Sequence, residues 1–242
     1  MDLRILNLSK SFGKIKALNS ISIEISGNGI IGYLGPNGAG KTTTIKVMAG
    51  LIRPDSGDVF INGFSITGNK RTALSKISSV VETPFPYPYL TVKEYLLLIG
   101  SLRGMEPGLV KNNIDALQNT FRLEDLNQSC GHLSKGNKQR VILMAALLPE
   151  TEIIILDEPT SGLDPIESKI FRDYLKILKK EKLLFISSHL MFEVSDLCDE
   201  IIFINKGKII SRMSVAEVNK RFEGKGAIGM EEAYIKMIGG DV

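Results

Sequence analysis

The chain has 242 residues, of which 43% are hydrophobic and 24% charged, and its formal net charge is +3. That suits one large α/β domain with a real core, and the composition is ordinary for a soluble globular protein. No long run of Lys or Arg appears, so nucleic acid is not expected as a partner. No stretch approaches the roughly 18 uninterrupted apolar residues of a membrane-spanning helix. The N-terminus carries an early Asp2 and lacks a secretory apolar core, so the expected location is cytoplasmic. Cys130 and Cys198 stand far apart, and His132 near Cys130 reads as coincidence, because two ligands do not close a zinc site. Such cysteine usage fits a reducing compartment.

In chain order, residues 3–8 and 18–25 alternate as half-buried strands do, with Ile21, Ile23 and Ile25 on one face and Ser22, Glu24 and Ser26 on the other. Ser26-Gly27-Asn28-Gly29 is a turn. A short buried strand over residues 30–34 runs into Gly35-Pro36-Asn37-Gly38-Ala39-Gly40-Lys41-Thr42-Thr43, and a helix is expected to about Leu51. Residues 58–61 read as a strand closed by the turn pair Asn62-Gly63. Residues 83–89 hold three prolines, Pro84, Pro86 and Pro88, and form a loop. Thr91 and Glu94 make a capping box that opens a helix to about Arg103, and a second helix runs to about Phe121. Residues 83–148 are thus expected to be a mainly helical insertion in an α/β core of residues 1–82 and 149–210. The core resumes with a strand at 153–156, a helix at 166–180, a strand at 183–186, a helix after His189 and a strand at 201–204. Residues 211–242 form a short extension, with a capping box at Ser214 and Glu217.

Gly35-x-x-x-x-Gly40-Lys41-Thr42 is a phosphate-binding loop, flanked by an apolar strand and a helix as that loop requires. Its glycines let successive N–H groups face inward as an anion nest, and the helix adds its positive end. Lys41 supplies a point charge for the outer phosphates of ATP, and the Thr42 hydroxyl is a ligand for Mg²⁺. Downstream, the apolar run 153–156 ends in Asp157-Glu158. An acidic pair after a strand is by itself more often a helix start. Beside a phosphate loop it reads as a carboxylate for the Mg²⁺ shell, Asp157, and an acceptor for the attacking water's proton, Glu158.

These two motifs fit any phosphate-loop ATPase. Leu133-Ser134-Lys135-Gly136-Asn137-Lys138-Gln139-Arg140 goes further, because it resembles the LSGGQ signature of ABC ATPases. Lys135 and Asn137 depart from that pattern, while Ser134 and Gly136, the family's phosphate-contacting positions, are kept. As a plain sequence feature the segment is also an ordinary helix start capped by Ser134. Ser161-Gly162-Leu163-Asp164 is similar to the family's D-loop. His189 after Ser187-Ser188 is similar to its switch histidine, although alone it would more often be structural. Phe12 matches the aromatic that stacks on adenine, with a core role as the alternative. Where the family has the Q-loop glutamine, this chain has Glu82, whose carboxylate is expected to reach the metal and to compete with Asp157. The tail Met230-Glu231-Glu232-Ala233-Tyr234 is similar to that of single-domain ATPases of multidrug and peptide-antibiotic exporters.

The resemblance implies an α/β phosphate-loop core of the ABC ATPase type, with an antiparallel β subdomain and an inserted helical subdomain. It also implies an ATPase that dimerises head to tail around two ATP, the signature of each subunit covering the other's nucleotide. It implies a separate integral membrane permease, most readily an exporter, docked near residues 84–89 on the inner face of the cell membrane. Tyr87, Tyr89 and Leu90 form an apolar cluster there, with simple loop packing as the alternative. A soluble ABC assembly factor without transport is a second reading. A DNA-repair or ribosome-acting member is disfavoured by the lack of a long coiled coil, second cassette or basic patch.

Overall fold

The computed structural model describes residues 1–82, 84–222 and 227–238. Thr83 of the proline-rich loop, and residues 223–226 and 239–242 of the C-terminal extension, lie outside the described residues. The chain opens with β1 (Asp2–Phe12), β2 (Ile15–Ser26) and β3 (Gly29–Leu34), followed by α1 (Lys41–Met48). Next come β4 (Ser56–Ile61), β5 (Phe64–Ser65), α2 (Lys70–Ser75) and β6 (Ile77–Val80). The helices α3 (Val92–Leu102), α4 (Pro107–Phe121) and α5 (Lys135–Leu147) precede β7 (Ile153–Asp157). Then α6 (Pro165–Leu178), β8 (Leu183–Ser188), α7 (Met191–Leu197) and β9 (Glu200–Asn205) alternate. The described chain closes with β10 (Lys208–Ser214), α8 (Val215–Arg221) and α9 (Ala227–Ile238).

Two sheets result. The first is antiparallel, in the order β2-β1-β4-β5, and the second runs β10-β9-β3-β8-β7-β6. In the second, β9, β3, β8, β7 and β6 are parallel, and only β10 is antiparallel to its neighbour. A parallel sheet is covered on both faces, so its strands read as continuous apolar runs. Alternation divides each of them between two cores. Ile31, Tyr33, Ile155, Phe185 and Ile202 face the antiparallel sheet and α1, together with Leu3, Ile5 and Ile45. Ile30, Leu34, Leu156, Ile186 and Phe203 face the other way, against Leu96, Leu117, Leu143 and Phe171 of the helices. Burying each such side chain contributes about 1.5–3 kcal/mol, which holds both layers on the central sheet.

Most expected elements are present with shifted ends. The helix α1 stops at Met48 rather than near Leu51, because Ala49 and Gly50 already turn the chain. The capping boxes at Thr91/Glu94 and Ser214/Glu217 are both formed, and Asp164 with Glu167 forms a third at the start of α6. The elements β5, α2 and β6 carry no clear apolar period and were not expected from the sequence.

Candidate active site

The phosphate loop leaves the carboxyl end of β3 and closes at Gly40, the N-cap of α1, where φ is 111°. A side chain at Gly40 would also sit 2.7 Å from the Ala17 carbonyl, so glycine is required twice over. At Gly35 the obstacle is the Ile204 carbonyl of β9. Asn37 and Gly38 are exposed at the loop's crest, while Ala39 and Lys41 are buried beneath it. The Lys41 Nζ donates to the Gly35 carbonyl at 2.7 Å and to the Pro36 carbonyl at 3.2 Å, which curls the ammonium back under the loop. Burial lowers its pKa from the usual lysine value, and the nearby Glu158 and Asp157 charges oppose that shift. Thr44 Oγ1 donates to the Gly40 carbonyl at 2.9 Å and meets the buried Tyr33 hydroxyl at 3.1 Å, pinning the first turn of α1 to β3. Thr43 is half-buried in that same turn.

Asp157, the last residue of β7, receives two hydroxyls. Thr42 Oγ1 donates to Oδ2 at 2.9 Å, and Ser187 Oγ donates to Oδ1 at 2.5 Å. The next residue, Glu158, adopts φ 46°, a left-handed conformation that costs a non-glycine residue about 1–2 kcal/mol. Its N–H donates to both the carbonyl (3.2 Å) and the hydroxyl (3.0 Å) of Ser187. The turn aims the Glu158 carboxylate at His189, whose Nδ1 lies 2.9 Å from Oε2. Thr42, Glu82, Asp157 and Glu158 line one pocket of about 220 Å³, joined by Gln139 and Ser161. Its oxygen-rich wall suits a hard divalent cation. Gln139 Nε2 in turn donates to the Pro159 carbonyl at 3.1 Å and props the segment after Glu158.

Glu82 sits on that pocket at φ 59°, but its Oε1 is paired with Lys46 Nζ of α1 at 2.6 Å. Phe12 ends β1 with its ring 50% exposed, so a core role is ruled out, and the Lys10 ammonium stands 5.6 Å from the ring centre. Ser134 caps α5 by accepting from the Asn137 N–H at 3.1 Å. Gly136 packs against Glu167 of α6, which is ion-paired to Arg140 at 2.7 Å, and the Lys135 side chain lies across Gly162. Neither Ser134 nor Gly136 lies on the pocket lined by Thr42 and Asp157. Sequence reasoning brought Asp157, Glu158 and His189 to the site and missed the clamps Ser187, Gln139 and Tyr33. Hydroxyls and amides are common residues, and only their long-range contacts mark these three. Cys130 is buried and His132 exposed.

The sequence profile of the ABC transporter family matches residues 18–161. The chain is 39% identical over 218 residues to the bacitracin transport ATP-binding protein BcrA of Bacillus licheniformis, covering 89% of this chain and 70% of that protein. It is 36% identical over 225 residues to the SkfA peptide export ATP-binding protein SkfE of Bacillus subtilis, covering 91% and 92%. Among solved structures, an ATP-binding subunit of an ABC transporter superposes with a TM-score of 0.87 at 28% identity, covering 96% of this chain and 98% of that one. A phosphate loop facing an acid-tipped strand, a signature helix and this degree of likeness agree: the chain belongs to the ABC transporter family, as one of its ATP-binding, ATP-hydrolysing cassettes.

Proposed function

We propose that this ATPase works as a dimer closed around two ATP and drives a separate membrane permease that exports its substrate. The observation that carries the reading is the division of the site. The loop Gly35, Pro36, Asn37, Gly38, Ala39, Gly40, Lys41, Thr42 and Thr43 reaches Asp157 and Glu158 through Thr42, and His189 meets Glu158, whereas Ser134 and Gly136 lie off that pocket, with Gly136 against Glu167 of α6. A second copy presenting its own α5 N-terminus would complete the shell around the triphosphate. Phe12 offers a half-exposed ring for adenine. Thr42 and Asp157 are the residues to hold Mg²⁺, with Glu82 at the edge of the same pocket. Bound there, the ion supplies charge neutralisation for the phosphate oxygens. Glu158 accepts the proton of the attacking water, and His189 orients Glu158 and the outer phosphate.

Export and the permease partner are inferred from the relatives named for bacitracin transport and peptide export. No helix among the described residues is long and apolar enough to cross a membrane, so in this reading the membrane-crossing part of the transporter lies outside them. The exposed aromatics Phe85, Tyr87 and Tyr89 provide a docking face, with Tyr87 stacked on Tyr89 and edge-on to Tyr95 of α3. Such a partner would hold the chain at the inner face of the cell membrane.

Glu158→Gln tests the assignment. Turnover should fall by about 10²–10⁴-fold, the usual contribution of a positioned base, while ATP still binds. That variant, trapped with ATP and purified from detergent-solubilised native membranes, should carry a multi-span protein in stoichiometric amount. Soluble partners alone would exclude the transport reading.

A further inference from the structure

Glu193 on α7 is a carboxylate that the chemistry above leaves unused, and it is only 5% exposed. A buried carboxylate is costly unless its oxygens are satisfied. Here Oε2 accepts from the Thr160 hydroxyl at 2.8 Å and from the Ser188 hydroxyl at 3.2 Å. Oε1 faces Arg172 of α6, with Nη1 at 3.7 Å. Arg172 is held in turn by Asp196, at 3.4 Å, and by the ring of Phe192, 5.5 Å away.

The two hydroxyls belong to the two segments that carry Glu158 and His189. Thr160 follows Glu158 by one intervening residue, and Ser188 immediately precedes His189. On one side of the Glu158–His189 contact, Ser187 ties the strands together through Asp157 and the Glu158 N–H. On the other side the tie is Thr160–Glu193–Ser188. Glu158, His189 and Glu193 line one pocket of about 360 Å³, so the tie lies next to the contact it spans. Glu158 is also in a strained conformation, which must be held from outside.

We infer that Glu193 is a positioning residue for ATP hydrolysis, a buried crossbar that fixes the separation of the Glu158 and His189 segments through Thr160 and Ser188. The inference rests on the assignment of Glu158 and His189 to hydrolysis. Glu193 touches neither of the reacting groups and acts through backbone placement. Removing it lets the two segments drift by a fraction of an ångström while the phosphate loop keeps its shape, so the chemical step suffers and nucleotide affinity does not.

The test is steady-state hydrolysis by the full chain, with ATP affinity and thermal midpoint measured on the same preparations. Glu193→Ala should lower kcat about tenfold with KM and ATP affinity within about twofold, as expected when geometry rather than binding is disturbed. Glu193→Gln keeps an oxygen for both hydroxyls and should restore kcat to within about threefold. Thr160→Val, nearly isosteric, removes one arm of the crossbar and should cost about threefold; combined with Glu193→Ala it should add nothing, because both changes cut one linkage. The inference is overturned if Glu193→Ala retains its kcat, or if Ala and Gln are equally impaired with KM and the midpoint moving in step. Should Glu193→Ala fail to fold, unchanged turnover in Thr160→Val overturns it. Glu158→Gln is run alongside: if that variant is inactive and Glu193→Ala is not, only the crossbar falls. An active Glu158→Gln removes the underlying assignment, and the crossbar with it.

Discussion

Glu82 differs from the other acids at the site in having a cation of its own. The Lys46–Glu82 pair is largely solvent-exposed, with side-chain exposures of 30% and 59%, so it is worth about 0–1 kcal/mol. Its significance is in where it holds charge. While Lys46 claims Oε1, Glu82 is a weaker competitor for a metal than its place on the pocket suggests. Glu82→Gln should therefore leave the thermal midpoint unchanged and shift the Mg²⁺ concentration that gives half-maximal hydrolysis. A Mg²⁺ titration identical to the starting protein's would remove Glu82 from the metal's surroundings. The signature segment has local contacts too. A side chain at the retained Gly136 would press on Glu167, and Lys135, one of the two departures, lies along the exposed glycine Gly162.

At the scale of elements, caps decide where helices begin. Thr91 accepts from the Glu94 N–H at 3.1 Å while the Glu94 carboxylate returns a bond to the Thr91 N–H at 2.8 Å. Losing such a cap costs about 1 kcal/mol, so Thr91→Ala should lower the denaturant midpoint and leave the isolated chain's hydrolysis intact, since α3 lies outside the site. This cap, like the apolar runs of β3, β7, β8 and β9, was legible because its physics is local. The strand β6 was not. It is an edge strand with Ser78 and Ser79 at its centre, covered by Arg103, which donates to the Ile77 carbonyl and the Ser78 hydroxyl, and by Thr151. With polar cover supplied from elsewhere in the chain, β6 needs no apolar run. The same contrast runs through the site. Lys41 stood out because the phosphate loop demands a lysine there, and Asp157 and Glu158 because the chemistry demands acids at the end of a strand beside it. Ser187 and Glu193 act through contacts that no spacing announces.

For the whole molecule, the proposed dimer ties oligomeric state to nucleotide, because Ser134 stands apart from the pocket lined by Thr42 and Asp157. The Glu158→Gln chain should run as a monomer without nucleotide and at twice that mass with ATP and Mg²⁺, as read by light scattering after gel filtration. Adding Ser134→Glu sets a carboxylate against the partner's phosphates. It should keep the protein monomeric while a fluorescent ATP analogue still binds. A dimer that forms regardless of Ser134 would mean that the copies meet through another face.

The seat of the phosphate loop is built from widely separated parts of the chain. The strand β3 is flanked by β8 and β9. The Gly207 N–H donates to the Ala39 carbonyl at 2.9 Å, and its own carbonyl accepts from the Asn19 N–H at 2.8 Å, so one residue joins the loop to the antiparallel sheet. During synthesis the loop leaves the ribosome first, and the segments that shape it, β8, β9 and the turn at Gly207, follow roughly 140–170 residues later. A nascent chain therefore lacks the seat of its phosphate loop until those later segments have emerged. It acquires that seat in full only when the turn at Gly207 emerges, and an interrupted product that ends before it carries the whole motif without its completed seat.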